Sequence, residues 1–272
     1  MHLQAATPDH RLAPFVRCFA HRETIPGSCL ISQAVIGSLE HILSFDLCDR
    51  TVMTYPTGHA SFHARTYLMG SQTRYAGHVC LSGHVVSFGI FLRPFALWQL
   101  FGIPPAELAD VDGDATAILG SWVAELWHKL ACAPTFSSRM NLTTDALLRF
   151  VRTARPLTSI MSTVHLLSPS DETARITNVA HRSAMSIRSY ERQFAVEIGM
   201  SPKQFARVAR FAGAIDLKRK SNHSWLNIAH DLGYFDQMHM IRDFRTLGGD
   251  ASGRLVHPES DFQPWSAEAV LV

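Results

Sequence analysis

Two arginines stand 50 residues apart in the same setting, Arg192-Gln193-Phe194 and Arg242-Asp243-Phe244. On the outward face of a helix, arginine is the side chain that can grip guanine O6 and N7 with two parallel hydrogen bonds. The repeat extends upstream: Ala180, Ala184 and Ser186 precede the first arginine as Ala229, Gly233 and Asp236 precede the second. In each stretch a helix with a small residue lets a second helix approach closely, a tight turn follows, and a Ser or Asp oxygen is placed to cap the next helix. That is the grammar of a helix-turn-helix unit. Two ordinary helical hairpins in an all-α domain would show the same local pattern, but not twice in register.

Helical spacing puts Ile187, Tyr190, Phe194 and Ile198 on one face of the first unit's second helix, read as core, and Arg188, Glu191, Arg192 and Ala195 on another. In the second unit Met240, Phe244 and Leu247 face inward, while Gln237, Met238, Ile241, Arg242 and Arg245 face outward. The base-contact candidates are therefore Arg188, Glu191, Arg192, Gln237, Met238, Ile241 and Arg242; Glu191 can accept from cytosine N4, and the apolar pair can touch a thymine methyl. Ser186, Lys203, Arg207, Arg210, Lys218, Arg219, Lys220, His239 and Arg245 are the phosphate candidates. Gly199-Met200-Ser201-Pro202 ends one helix and starts the next, whose apolar residues Phe205, Val208, Ala212 and Ile215 run toward Lys218. That helix would link the two units rigidly enough for both to enter successive major grooves.

A second chemistry is conceivable upstream. His59, His63, His78, Cys80 and His84 are transition-metal ligand types, and His78 and Cys80 would share one strand face. No carboxylate joins them in a motif, so they count only as weak metal candidates, and no cofactor is expected. Nor is there a Gly-rich phosphate loop, a Gly-x-Ser-x-Gly elbow or a His-Glu-x-x-His motif. The chain is expected not to be an enzyme; a metal-binding β-barrel enzyme fused to a DNA-binding domain is kept as the alternative. Phe45, Tyr55, Phe62, Tyr67 and Phe88 are candidates to line an effector pocket, with Phe91 beside them. If they are plain core, the first domain is a ligand-free dimerisation scaffold.

The elements that must position these residues divide the chain. From Cys29 to Leu92, short apolar runs such as Cys29–Ile36, Ile42–Leu47 and Val85–Leu92 alternate with turn signals at Asp49-Arg50, Pro56-Thr57-Gly58, Met69-Gly70 and Ser82-Gly83. That spacing predicts a small antiparallel β-barrel or sandwich. A short helix ending at Gly102, a helix over 114–130 and another over 138–152 close it. The expected fold is α+β: a β-rich domain over 1–155, a junction over 156–170 with an apolar stretch from Ile160 to Leu167 that leaves room for a helix before the Ser168-Pro169-Ser170-Asp171 break, an all-α domain of two helix-turn-helix units over 171–255, and an acidic tail over 256–272.

Charge follows the same division: residues 1–170 sum to +1, residues 171–255 to +4 and the tail to −3. The basic helical segment leans toward a polyanionic partner. The whole chain, 272 residues, 47% hydrophobic and 18% charged, has the composition of a globular protein. No apolar run approaches the roughly 18 residues of a membrane helix, and the opening Met1-His2-Leu3-Gln4-Ala5 lacks a signal-peptide core. A cytoplasmic location and no membrane partner are expected. The five cysteines are scattered, with no Cys-x-x-Cys, and are expected to be reduced and mostly buried.

Residues 173–249 resemble the DNA-binding domain of AraC-type transcriptional regulators. The likeness is carried by Arg192-Gln193-Phe194, Gly199-Met200-Ser201-Pro202, Arg207-Val208-Ala209-Arg210-Phe211, Ile228-Ala229 and above all Gly233-Tyr234-Phe235-Asp236-Gln237-Met238-His239-Met240-Ile241-Arg242-Asp243-Phe244. Residues 1–155, with Gly89-Ile90-Phe91-Leu92-Arg93-Pro94 and Phe101-Gly102-Ile103-Pro104, are similar to the β-rich domain that precedes it in many members. Ala184 stands where the first turn commonly has Gly, and Asp250-Ala251-Ser252 lacks the usual Ser/Thr-Pro. The resemblance implies a sequence-specific DNA-binding regulator whose first domain senses a small molecule or dimerises. Double-stranded DNA, a small effector and a second copy of the chain are the partners implied, with RNA polymerase added if the protein activates.

Overall fold

The computed structural model describes residues 1–25, 27, 30–164, 167 and 172–249, with only the backbone of 172–175. Cys29, the break at 168–171 and the tail from 250 onward lie outside the described residues. Among those described, ten strands form two antiparallel sheets. The larger runs, in spatial order, β1 (His2–Ala6), β2 (Val16–Glu23), β9 (Val86–Leu92), β4 (His41–Asp46), β7 (Thr66–Met69) and β10 (Asp112–Asp114); the smaller runs β3 (Ile31–Val35), β8 (Gly77–Leu81), β5 (Val52–Thr54) and β6 (Ala60–Phe62). The sheets form a sandwich that does not close into a barrel.

The period-two alternation of strands gives the larger sheet two different faces. Phe19, Leu43, Phe45, Leu68, Phe88 and Ile90 point to one side and share a buried cluster with Val123, Leu126, Leu130 and Leu147 from the closing helices. Their neighbours Arg22, Ile42, Ser44, Tyr67, Met69, Ser87, Gly89 and Phe91 point to the other, across a cavity from the smaller sheet. The closing helices are α1 (Ala115–Leu119), α2 (Trp122–Cys132) and α3 (Phe136–Val151). The single helix expected over 114–130 is thus two, because the chain turns out of helical geometry at Gly120, whose φ is 98°. The short helix before Gly102 is a π-helical turn, Leu97–Phe101, and a 3₁₀ turn, Pro105–Leu108, follows. Of the four described cysteines Cys18 is buried, Cys48 and Cys80 are half-buried and Cys132 is exposed, all unpaired, so mostly buried does not hold.

The helical domain comprises α4 (Ser159–Thr163), α5 (Glu172–Arg182), α6 (Ile187–Ile198), α7 (Pro202–Lys220), α8 (Trp225–Asp231) and α9 (Gln237–Gly248). Its core joins Tyr190, Phe194, Phe205, Phe211, Ile215, Met240, Phe244 and Leu247, each such side chain contributing about 1.5–3 kcal/mol by leaving water. Ile160, Val164 and Leu167 are buried in the same cluster. The junction, whose apolar stretch leaves room for a helix, holds α4 and supplies it to the helical core, docked on α6, where the Thr158 hydroxyl donates to the buried Glu197 carboxylate. No helix among the described residues is long and apolar enough to cross a membrane.

Candidate nucleic-acid interface

The two helix-turn-helix units share one hydrogen-bond pattern. In the first turn Ser183 N donates to Val179 O, Ala184 N to His181 O and Met185 N to Ala180 O; in the second Leu232 N donates to Ile228 O, Gly233 N to His230 O and Tyr234 N to Ala229 O. Ala180 and Ala229 are both buried, as close helix packing requires. The turns match at an offset of 49, but the capping residues Ser186 and Asp236 and the arginines match at 50. The second turn thus carries one additional residue, Phe235, whose side chain is 92% exposed. Sequence reading missed it as a site residue, although the one-residue change of offset was there to be read.

Both caps form as expected. Ser186 Oγ accepts from Ser189 N at 3.2 Å, and the Asp236 carboxylate accepts from His239 N. From those caps α6 presents Arg188, Glu191 and Arg192 to solvent, and α9 presents Gln237, Met238, Arg242 and Arg245, with Ile241 half-buried beside them. Tyr190, Phe194 and Ile198 are fully buried, but Ile187 is 44% exposed. At the first turn of α6 it lies beyond the reach of the core and on the solvent side of the cap.

The phosphate candidates separate. Lys203 and Arg245 are exposed. Ser186 is engaged as a cap. Lys218 is half-buried, its ammonium 2.8 Å from His223 O and 5.7 Å from the Trp225 ring, and the Lys220 ammonium is 3.0 Å from Asp216. Arg219 is half-buried on the same last turn. His239 is half-buried, its ring edge-on to Tyr234 at 5.4 Å. Two candidates sit inward rather than toward a duplex: Arg210 is 6% exposed with its guanidinium 5.1 Å over the Tyr234 ring, and Arg207 Nε donates to the buried Asp243 carboxylate at 2.6 Å. α7 is a core helix on those faces, so Arg207 and Arg210 bind the second unit.

Both recognition helices end on the β-rich domain. Gly199, the C-cap of α6, lies against Pro105 of the 3₁₀ turn. At the end of α9, Gly37 N donates to Leu247 O at 2.7 Å and Tyr75 N to Thr246 O at 2.9 Å. Gly37 sits so close that a Cβ there would lie 2.9 Å from the Leu247 side chain. Ile36 and Leu39 belong to the helical core.

The cavity beneath that contact is lined by Gln33, Ala34, Val35, Ile36, Ser38 and Glu40 of the smaller sheet and its following loop, and by Gln72. Of the pocket candidates only Tyr67 lines it, with Phe91. Phe45 and Phe88 face the closing helices. Phe62 is 63% exposed under the Arg50 guanidinium, and the Tyr55 hydroxyl donates to Asp112 at 3.1 Å. The wrong parity explains the first pair, since successive strand residues face opposite sides.

The histidines do not converge. His63 stacks on Tyr67 and its Nδ1 is 2.9 Å from the Thr51 hydroxyl; His78 Nδ1 is 2.7 Å from the Tyr75 hydroxyl; His84 Nε2 is 3.2 Å from Glu23. His59 stacks on Tyr55, and Cys80 Sγ is 3.7 Å from the Thr54 hydroxyl. Among the described residues no group of three or more such side chains is placed to hold a metal.

Two caps, two matched turns and two exposed recognition faces define a helix-turn-helix DNA-binding protein. A family model described as a helix-turn-helix domain matches residues 179–253, and one described as a domain of unknown function, DUF6597, matches residues 4–114. The C-terminal domain is an AraC-type helix-turn-helix domain, and the chain is a DNA-binding transcriptional regulator. No curated protein matches the sequence. Among solved structures, an apo point variant of ToxT from Vibrio cholerae strain SCE256 is 10% identical with a TM-score of 0.48, the match covering 92% of this chain and 98% of that one. ToxT from Vibrio cholerae O395 is 9% identical at 0.43, over 85% and 94%. Wild-type ToxT of strain SCE256 with an unsaturated fatty acid bound is 9% identical at 0.42, over 83% and 94%. Domain type points to regulation rather than catalysis.

Proposed function

We propose that this regulator couples occupancy of the cavity between its sheets to the setting of its second recognition helix. The carrying observation is that one short segment does both jobs: Val35, Ile36 and Ser38 line the cavity, and Gly37 between them is bonded to Leu247 at the end of α9. Ser38 and Gln72 are bridged to each other by paired backbone hydrogen bonds, so the cavity wall and the Tyr75 contact with α9 move together. A small molecule that fits one setting of this wall better than another shifts the pose of α9 by that difference in affinity.

On the DNA side, Arg188, Glu191 and Arg192 read one groove segment, and Gln237, Met238, Ile241 and Arg242 the next, with Lys203 and Arg245 on phosphates. Phe235 adds an apolar contact at the edge of the second segment. The protein acts in the cytoplasm as a homodimer on a repeated site, and meets RNA polymerase where it activates. The test is enrichment of bound sequences from a random duplex pool at low salt with the full chain, followed by footprinting. A shared motif spanning two groove segments is expected; no enrichment, or a footprint of one half-turn, defeats the reading.

A further inference from the structure

We infer that the two recognition helices read different bases: α9 takes thymines through their 5-methyl groups, whereas α6 takes G·C pairs. Each protomer then lies on its two groove segments in one orientation only. The inference rests on α6 and α9 being the helices that enter the grooves.

The first observation is an exchange of chemistry at matching places. At the offset of 50 that aligns the caps, Arg188, Glu191 and Arg192 of α6 correspond to Met238, Ile241 and Arg242 of α9. Arg188 and Met238 are each the second residue of their helix, in the turn that meets base edges in a helix-turn-helix unit. Both are exposed, while Tyr190 and Phe194 of α6, and Met240 and Phe244 of α9, are turned into the core. A guanidinium suits guanine O6 and N7, and Glu191 suits cytosine N4. A thioether suits neither, and the one apolar group that a base edge offers in the major groove is the thymine methyl. Gln237 stands where the first unit has Ile187 and adds to the preference, because its amide matches N6 and N7 of the adenine paired with a thymine. Ile187 leaves α6 one apolar contact of its own, but the central places there are charged.

The second observation is Phe235, the additional residue of the second turn, directly before the Asp236 cap. An apolar residue at that place ordinarily packs on the fourth residue of the helix. Here that residue, Met240, is fully buried while Phe235 is almost wholly exposed, so Phe235 is turned out to solvent at the same end of α9 as Met238. Arg242 and Arg245, four and seven residues beyond Met238, are exposed on the same helix face. An apolar patch flanked by two arginines suits methyl groups on the floor of a groove walled by phosphates better than the apolar face of another protein.

The test uses the full chain and the duplex most enriched from a random pool at low salt. Selection repeated with Met238→Ala marks the α9 segment as the one whose preference relaxes. The duplex is then remade with deoxyuridine for thymine in one segment at a time, which deletes the methyl and keeps every hydrogen-bonding group. Uracil in the α9 segment is expected to weaken binding about fourfold for each methyl contacted, and uracil in the α6 segment by less than about twofold. In the double variant Met238→Ala, Phe235→Ala the uracil penalty should shrink. Met238→Arg should bring guanine to a position where the wild type selects thymine. Equal affinity for thymine and uracil duplexes, or equal penalties in the two segments, overturns the inference and leaves DNA binding standing. A Met238→Ala selection identical to that of the wild type, or a uracil penalty undiminished in the double variant, assigns the patch to a protein partner and overturns it too. Failure to enrich any duplex defeats the DNA-binding reading on which the inference rests.

Discussion

Arg207 of the linker helix donates to Asp243 of the second recognition helix at 2.6 Å, and the carboxylate it meets is 3% exposed. The ion pair fixes α9 on α7 from the side opposite the exposed face that carries Gln237, Arg242 and Arg245. Arg207→Ala leaves a buried carboxylate uncompensated and is expected to cost about 3 kcal/mol of stability. DNA affinity should fall for all sequences with an unchanged salt slope. A phosphate-binding arginine would instead flatten that slope by about one unit and leave the melting temperature unmoved.

Ala184 has φ of 53° and its counterpart Gly233 has φ of 69°, so the first turn holds an alanine where an L residue pays for left-handed backbone. The alanine is exposed and gives up no packing when removed. Ala184→Gly should stabilise the chain by up to about 1 kcal/mol, and Gly233→Ala should destabilise it by a similar amount. Denaturant midpoints at unchanged m-value measure both.

His41 is fully buried with Nε2 3.1 Å from Pro94 O, and burial lowers its pKa from 6.5 to about 4. Burial, helped by Arg139, lowers that of His21 as well. Between pH 6.5 and about 4 the unfolded chain binds protons that the folded chain refuses, so stability is complete above pH 6.5 and drains away as pH falls. By pH 5 His41 alone should account for roughly 2 kcal/mol. Thermal melts over this range should show a shallower decline in His41→Gln; an unchanged slope would contradict the assignment.

Arg192 and Arg242 hold matching places on α6 and α9, and both are exposed. If Arg242 contacts a base, Arg242→Ala costs about 1–3 kcal/mol of binding and relaxes preference at one position. Arg192 shares its face with Glu191, so Glu191→Ala should alter the effect of Arg192→Ala rather than add to it. Pool selection with each variant distinguishes the outcomes, and unaltered affinity, specificity and salt dependence in all three would place the recognition surface elsewhere.

The helical domain was legible because its determinants are local: small residues, caps and apolar spacing lie within a few residues of one another, and Ser186, Asp236, Phe194 and Phe244 sit where the pattern puts them. What escaped were placements decided at a distance. α4 joins the helical core because Ile160 meets α6; the apolar stretch from Ile160 leaves room for a helix but does not say which core it serves. The alternation of apolar runs and turn signals starts only at Cys29, while β2, paired with β9 as Cys18 with Phe91 and Phe19 with Ile90, begins thirteen residues earlier at Val16. Arg22 on that strand looks like any surface arginine until the smaller sheet covers it. Phe45 and Phe88 were aromatic in the right region and on the wrong side, a parity that only the strand pairing fixes.

That same pairing sets a timetable. Val16 meets Leu92 and His41 meets Leu92 on its other flank, closures over long stretches of the β-rich domain, whereas each helix-turn-helix unit closes over a short stretch of chain. Chain closure over longer separations is slower, so during refolding the amides of Tyr190 and Phe244 should gain protection in pulse-labelled hydrogen exchange before those of Phe19 and Ile90. A newly folded molecule would then pass through a stage at which it can hold DNA but has no sensor yet to govern it.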